Sequence, residues 1–443
     1  MANTSLTRTS GTSTNVDKCT FSAWVKRGNT SGSDHILMAQ YTDANNRGKI
    51  LISDNQLAYF QKTGGSTTAN AKATRQFRDT SAWYHIVLAF DSTQSTAEDR
   101  IKFYVNGVQE TVFSNEDYGA QNENVRINES SVPIFIGQDG ASGAYFDGIM
   151  SHVHFCDGYV YAASDFGSTD STTGEWEINT SPSVTYGTNG FAILKDGNTI
   201  TDQSSNSNNF SLVGGTLTKT EDCPNNVFAT MNQLDNYYSN MTFSQGGNTV
   251  VSDHPAPSVS TLGMTSGKYY FEGKALSTTG GSDWQIGIIS TQITATSHEI
   301  GHHSNDYGYY GANGNHITGN SGTSYGNTYT TGDIIGCAVD LTNNKLYFSK
   351  NGTWQNSGVP TSGGTGTGAI SITAPASTSL GVYLVAVGAH ASANSYTWNM
   401  NFGNGYFGTT AVSSAGSNAS NNGIFEYDVP TGYTALSTKG LNL

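Results

Sequence analysis

Charge is scarce in this chain of 443 residues. Only 12% of positions are Asp, Glu, Lys or Arg, and hydrophobic residues reach only 36%. Disordered chains pair low hydrophobicity with high charge and few aromatics. Here 24 Tyr and 19 Phe accompany the low charge, so a folded chain is expected. Cysteine is also rare. Cys19, Cys156, Cys223 and Cys337 form no CxxC pair and are too scattered for a disulfide scaffold. Cys156 and Cys337 fall in strand-like segments and read as small core residues. Basic residues number 20 against 34 acidic ones, a formal charge of −14. A polyanion binder needs clustered Lys and Arg, so nucleic acid and anionic membranes are excluded as partners. No apolar run approaches the ~18 residues that span a bilayer, and the opening MANTSLTRTS has no apolar h-region. No signal peptide and no membrane insertion are therefore expected, with synthesis in a host cytoplasm. Long amphipathic helices and heptads are missing too, which excludes a coiled-coil stalk.

What the chain does have is Gly, Ser, Thr, Asn and Tyr, residues that suit turns and pleated surfaces. It also has one unit stated twice. WYHIVLAFD and RIKFYVNGVQET run from Trp83 to Thr111, and GDIIGCAVDLTNNKLYFSKNGTWQ runs from Gly332 to Gln355. Each is an apolar strand ending in Asp (Asp91, Asp340), a turn, an alternating strand, and then Asn-Gly (Asn106-Gly107, Asn351-Gly352). Asn-Gly between alternating strands is a strong hairpin signal, because both residues tolerate the positive φ of a type I′ turn. Asp91 and Asp340 read as turn residues closing strands.

The fold expected is all-β: two antiparallel β-sandwich (jelly-roll) domains joined by a Ser/Thr/Asn-rich connector. The first covers 1–165, the connector 166–225 and the second 226–443. Phe191–Leu194 and Phe210–Val213 are the apolar pieces of the connector, which is expected to pack on a neighbouring domain. The polar stretches Thr63–Asn70 and Asn115–Glu129 are expected to be surface loops, and Gly358–Gly368 a flexible one.

CTFSAWVKRG (Cys19–Gly28), WYHIVLAFD, FYVNG and YFDGIMSHVHFCDG (Tyr145–Gly158) together resemble a laminin-G-like, concanavalin-A-like jelly roll. ASDFGSTDSTTGEWEI and the pieces to Phe210, with NVFATMNQLDN (Asn226–Asn236), resemble the segment that comes after such a domain in tailed-phage virion proteins. GKYYFEGKA (Gly267–Ala275), WQIGIIS, YGYYGANGN, TTGDIIGCAVDL, LYFSKNG, NFGNGYF and VPTGYTALST (Val429–Thr438) resemble a SPRY-type domain. The resemblance implies a structural protein of a marine or cyanobacterial type of bacteriophage, displayed on the virion as part of a tail fibre, tail tip or exterior appendage. Such a protein would be non-enzymatic and homo-oligomeric, and would bind other virion proteins, host cell-surface polysaccharide or both. A capsid-exterior decoration without a receptor role is the alternative, and a polysaccharide depolymerase a further one.

The most conspicuous motif is HEIGHH (His298–His303). As HExxH on a helix it would offer His298 and His302 to zinc, with Glu299 as general base. Gly301, the β-prone TQITATS before it and SNDYGYYGANGN after it argue against a helix. A polar, His-rich surface loop is expected, with no metal and no cofactor. A loop metal site, with His316 added, is the other reading. His152 and His154, at i and i+2, are expected on one strand face. Glu175 and Glu177 could mimic a glycosidase pair, but the carboxylate-rich strand signature is absent. No catalytic residue is expected. Aromatic rings with amides and hydroxyls suit a saccharide surface. Trp284, Tyr307 and Tyr309 fall in strand pattern and are read as core. Tyr310, Asn313, His316 and Tyr325 remain as candidate glycan-binding residues.

Overall fold

The computed structural model describes residues 4–442 apart from 31–33, 142, 196–198, 280 and 391–394. The chain divides into two compact units, Met1–Lys219 and Thr220–Leu443. Each is an antiparallel β-sandwich with its own hydrophobic core. Among the described residues no helix is long and apolar enough to cross a membrane. All four cysteines are free, and Cys19, Cys156 and Cys337 are buried.

The first unit packs an eight-stranded sheet against a six-stranded one. The six-stranded sheet runs Phe191–Ile193, Gly148–Asp157, Lys18–Arg27, Tyr84–Asp91, Ile101–Val105, Val108–Gln109. Phe21, Ala23 and Val25 alternate toward the core, where they meet Ile86, Leu88 and Phe103. The segment expected as a connector supplies edge strands to both sheets: Phe191–Ile193 pairs with Gly148–Asp157, and Ser211–Val213 pairs with Ser5–Thr9. It also covers the outer face of the six-stranded sheet, where Phe166, Trp176 and Tyr186 pack on Val87 and Cys156. Asp157 is fully buried on this seam. It accepts hydrogen bonds from the Thr14 and Asn189 N–H groups and from Asn128 Nδ2.

The expected loop Thr63–Asn70 is largely strand, and Asn115–Glu129 opens in one. Ser66–Gln76 is a strand, paired with Gln56–Thr63 and with Phe113–Asp117. Ala69, Ala71 and Ala73 are its buried face. Alanine at every second position is an inward pattern too weakly apolar to stand out among Thr, Asn and Lys. The Gly-rich stretch from 358 contains the short helical turn Pro360–Thr365, whose Pro360 is buried and accepts from Tyr433 Oη at 3.0 Å. Its Gly363 and Gly366 take positive φ, as a tight turn requires.

The second unit packs a nine-stranded sheet against a six-stranded one. Lys268–Thr278, Ile334–Asp340, Lys345–Lys350 and Thr353–Trp354 lie side by side, as Lys18–Arg27, Tyr84–Asp91, Ile101–Val105 and Val108–Gln109 do in the first unit. The repeated sequence unit is therefore one strand larger than its text. Each neighbouring strand opens with a lysine that pairs with the Asp opposite it: Lys18 to Asp91 at 3.1 Å and Lys268 to Asp340 at 2.9 Å. The same carboxylates close the turns. Asp91 accepts from Thr93 and Gln94, and Asp340 from the Asn343 backbone and side chain.

Asn-Gly is matched to the same degree. Asn106, Gly107, Asn351 and Gly352 all have positive φ. Asn106 Oδ1 accepts the His85 N–H at 2.8 Å, and Asn351 Oδ1 accepts the Ile334 N–H at 2.8 Å. The amide thus ties each hairpin to the strand beside it. A Cβ on Gly107 would sit 2.4 Å from the Trp176 ring, and one on Gly352 would sit 2.6 Å from the Tyr427 ring. Gly107→Ala is expected to cost about 1–2 kcal/mol for the left-handed backbone, with further loss as Trp176 is displaced. A urea melt of the first unit followed by tryptophan fluorescence checks this. An unchanged midpoint would mean that the ring does not hold the hairpin.

Candidate functional site

In the second unit, Asp283, Tyr310 and His390 lie at one end of the six-stranded sheet. They flank the strands Trp284–Ile289, Tyr307–Tyr310 and Tyr383–Ala389. Trp284, Ile286 and Ile288 point into the core, so Gln285 and Ile289 point outward. The loop from Ser290 to Asp306 returns across that outer face. Ile300 is fully buried there against Val259, Ile289 and Ala386, and its N–H donates to Gln285 Oε1 at 3.1 Å. Anchoring Ile300 fixes the HEIGHH residues on either side of it.

Glu299 is directed to the Asp283 end, where its carboxylate hydrogen-bonds His390 Nδ1. That bond holds the His390 imidazole above its ordinary range, against the opposing effect of burial. The His390 ring stands edge-on to Tyr310 with centroids 4.3 Å apart, and Tyr310 Oη donates to Asp283 Oδ1 at 2.8 Å. Burial raises the Tyr310 phenol, and Asp283 adds to it. Glu299–His390 and Tyr310–Asp283 are therefore two hydrogen-bonded pairs that meet through an edge-on ring contact, a chain of four residues. Sequence reasoning singles out neither His390 nor Asp283, because each lies in a separate loop and neither belongs to a motif.

The stretch around HEIGHH is turn and bend, not helix. The HExxH geometry is absent, and Glu299 is engaged by His390 away from a general-base position. Nevertheless His298, His302 and His303 come together, with one potential ligand atom from each within 4.8 Å of the others. His298 and His302 stack with ring centroids 3.9 Å apart, and His303 stands perpendicular to both. His316 is not part of this group.

The four candidate glycan residues do not form one surface. Tyr325 is a correction: it is only 6% exposed, belongs to the core and accepts the Phe348 N–H at 3.1 Å. Its segment lies under the Lys345–Lys350 strand, so the ring fills the sandwich. His316 is half-buried, edge-on to Tyr325, and held low by burial. Tyr310 is partly exposed within the chain above. Asn313 is exposed, with its side chain accepting the Asn315 N–H in a local turn. Trp284, Tyr307 and Tyr309 are buried.

The remaining pairs also separate. The Gly148–Asp157 strand shifts register between Ser151 and His154, and His152 has φ +47°. A bulge breaks the two-residue period. His154 enters the interior and pairs with Tyr186 Oη at 2.9 Å, while His152 bonds Ser151 Oγ at 2.8 Å. Glu175 and Glu177 are exposed on a two-stranded ribbon. Trp176 between them is the structural residue: its Nε1 donates to His85 Nδ1 at 3.0 Å, and its ring stacks on that histidine.

Comparison with known proteins matches residues 2–165 to the concanavalin A-like lectin/glucanases superfamily, in its laminin-G model, and residues 268–382 to the SPRY domain. The chain carries a laminin-G-like domain followed by a SPRY domain. Relatives include Ran-binding protein 9 of Xenopus tropicalis, 39% identical over 111 residues, which are 25% of this chain and 19% of that protein. Ran-binding protein 10 of Danio rerio is 39% identical over 106 residues, covering 24% of this chain and 16% of that protein. The aligned stretch spans less than a fifth of the length of these curated relatives. Among solved structures, the SPRY domain of human HERC1 is 16% identical and covers 34% of this chain and 87% of that chain, with a TM-score of 0.27. The heptameric SAP-like pentraxin of Limulus polyphemus is 14% identical and covers 36% and 72%, with a TM-score of 0.28.

Proposed function

We propose that this chain is a non-enzymatic binding protein, a structural component displayed on the exterior of a tailed-phage virion. Its loops engage host-surface glycan, neighbouring virion proteins or both. The observation that carries this reading is where the buried ionisable groups are directed. Asp157, Glu272 and Asp340 bond to backbone and side chains of their own unit, and His85 and His154 are enclosed among aromatic rings. Groups that could serve acid–base chemistry act as internal cross-links, while polar groups such as Asn313 and Tyr310 stand at loops. Concanavalin A-like and SPRY domains are suited to presenting loops from a rigid sandwich. The relatives are named as Ran-binding proteins, and a protein-docking role for the SPRY unit accords with that name.

Mass spectrometry of purified particles is expected to find the chain. Labelled full-length protein is expected to bind host cells or immobilised host polysaccharide, or to capture another particle protein. No release of reducing ends from that polysaccharide is expected. Absence from particles together with absence of binding would overturn the reading, and reducing-end release would replace it with a depolymerase.

A further inference from the structure

We propose that His298, His302 and His303 form a binding site for a zinc-class divalent ion, with one coordination position left open to water or to a partner's side chain. This inference stands independently of the proposed function. The three imidazoles converge with one nitrogen each within 4.8 Å. Imidazole is a preferred ligand for zinc, copper and nickel, and three histidines with one open position are an established zinc arrangement. Zinc–nitrogen bonds of ~2.0–2.1 Å in a tetrahedron place the nitrogens roughly 3.3 Å apart. A chelate therefore requires that spacing to close and the stacked His298 and His302 rings to turn until their lone pairs converge.

A second observation points the same way. His298 Nδ1 and His303 Nε2 are both buried and have no hydrogen-bond partner. An unpaired buried polar atom is costly, and native structures seldom leave one without a reason. In the tautomer that places the proton on the other ring nitrogen, each of these atoms is a free lone pair that an ion could take.

The backbone is prepared for the task. Ile300, inside the motif, is locked in an apolar cluster. The Gly301 carbonyl accepts the Asn320 N–H at 2.9 Å, and the His303 carbonyl accepts the Gly319 N–H at 3.1 Å. Gly301 has φ +91°, and a Cβ there would lie 2.4 Å from the Ile317 carbonyl oxygen. Only glycine permits this turn, which brings His302 and His303 back against His298. Nearby carboxylates are committed elsewhere: Glu299 to His390, and Asp306 to the Ser290 N–H and the Thr291 hydroxyl. The ion would therefore be held by imidazole alone.

The test is calorimetric titration of zinc chloride into full-length protein stripped with a chelator. One ion per chain with a micromolar or tighter Kd is expected, along with a zinc-dependent rise in melting temperature and visible ligand-field absorption when cobalt replaces zinc. His302→Gln is expected to weaken binding at least tenfold, and the variant with Gln at 298, 302 and 303 to abolish it. Glu299→Gln is expected to keep the stoichiometry, because that carboxylate faces His390. Melting of each variant without metal verifies that it folds; where the triple variant does not, His302→Gln decides. No binding by the wild-type chain, or equal binding by the folded His302→Gln variant, would overturn the site.

Discussion

Acidification from pH 7 to pH 4 is expected to unfold the laminin-G-like unit while the SPRY unit stays folded. His85 lies between Trp24, with ring centroids 5.0 Å apart, and Trp176, at 5.9 Å. Its Nδ1 receives the Trp176 indole N–H, which leaves Nε2–H to donate to Ser22 Oγ at 2.9 Å. The site is built for a neutral ring, and burial lowers the His85 pKa from 6.5 to about 3. His154 is likewise lowered to about 3, first by burial and then by His152. For both groups the unfolded chain takes up a proton below its ordinary pKa and the folded chain does not. Their stabilising contribution is present above pH 6.5 and is lost as pH falls toward 3. At about 1.4 kcal/mol per unit, each histidine withdraws roughly 3 kcal/mol by pH 4, and the pair together rivals the ~5–15 kcal/mol stability of a whole domain.

The SPRY unit has the opposite tendency. Glu272 is raised from 4.5 to about 7 by burial, and His390 is raised by Glu299. Both groups stabilise the folded state on the acid side of their windows, although the shallower His298 and His316 oppose them. Hydrogen exchange with mass spectrometry at stepped pH resolves the two units. Protection is expected to vanish first across Tyr84–Asp91 and Gly148–Asp157. The variant His85→Gln, His154→Phe is expected to move that transition to lower pH. A single transition across both units, or one unmoved by the double variant, would sink the idea.

Glu272→Ala is expected to destabilise the SPRY unit by about 3–5 kcal/mol, because several donors lose their acceptor at about 1–3 kcal/mol each. Four donors converge on this carboxylate: Tyr270 Oη at 3.0 Å, the Glu426 and Tyr427 N–H groups at 2.9 Å, and Asn401 Nδ2 at 3.2 Å. It thereby fastens the closing segment of the chain to the central strand Lys268–Thr278. Alanine takes the acceptor from Tyr270 Oη and from the Glu426 and Tyr427 N–H groups, while Asn401 Nδ2 keeps the Ile424 carbonyl. The amides of Glu426 and Tyr427 are expected to exchange faster, with a lower denaturation midpoint. Unchanged exchange at these two amides would refute the role.

Glu272→Gln separates charge from geometry. Its amide opposes at least one backbone N–H, a cost of about 1–3 kcal/mol, but it has no proton to lose. Wild-type stability is expected to fall by roughly 3 kcal/mol between pH 4.5 and 7 as Glu272 ionises in the unfolded chain first. The variant is expected to lack that slope, so its deficit shrinks with rising pH.

Legibility in the sequence depends on which interactions are local. Asn106-Gly107 and Asn351-Gly352 declare their hairpins because positive φ is a property of the residues themselves. Asp91 and Asp340 close turns two or three residues away. The lysines that pair with them are invisible in sequence, because Lys18 and Lys268 stand about 70 residues off and meet the acids only through strand pairing. The Ala69-Ala71-Ala73 strand escapes notice because alanine carries little hydrophobic signal. Tyr325 reads as a surface ring because a tyrosine in a polar stretch looks the same whether it caps a loop or fills a core.

The amino-acid order by itself determined the fold class, the twin hairpins and the two domain families, since turn preferences, strand alternation and family motifs are carried by neighbours in sequence. Tertiary structure alone decided what the histidines do. The segment after residue 158 buried His85 and His154 by covering a sheet face that strand periodicity marks as outer. Ile300, anchored in an apolar cluster, folded the HEIGHH loop so that Glu299 turned to His390 and His298, His302 and His303 turned to one another. Protonation depends on what lies within a few ångströms, and for His85, His154 and His390 those neighbours come from distant parts of the chain.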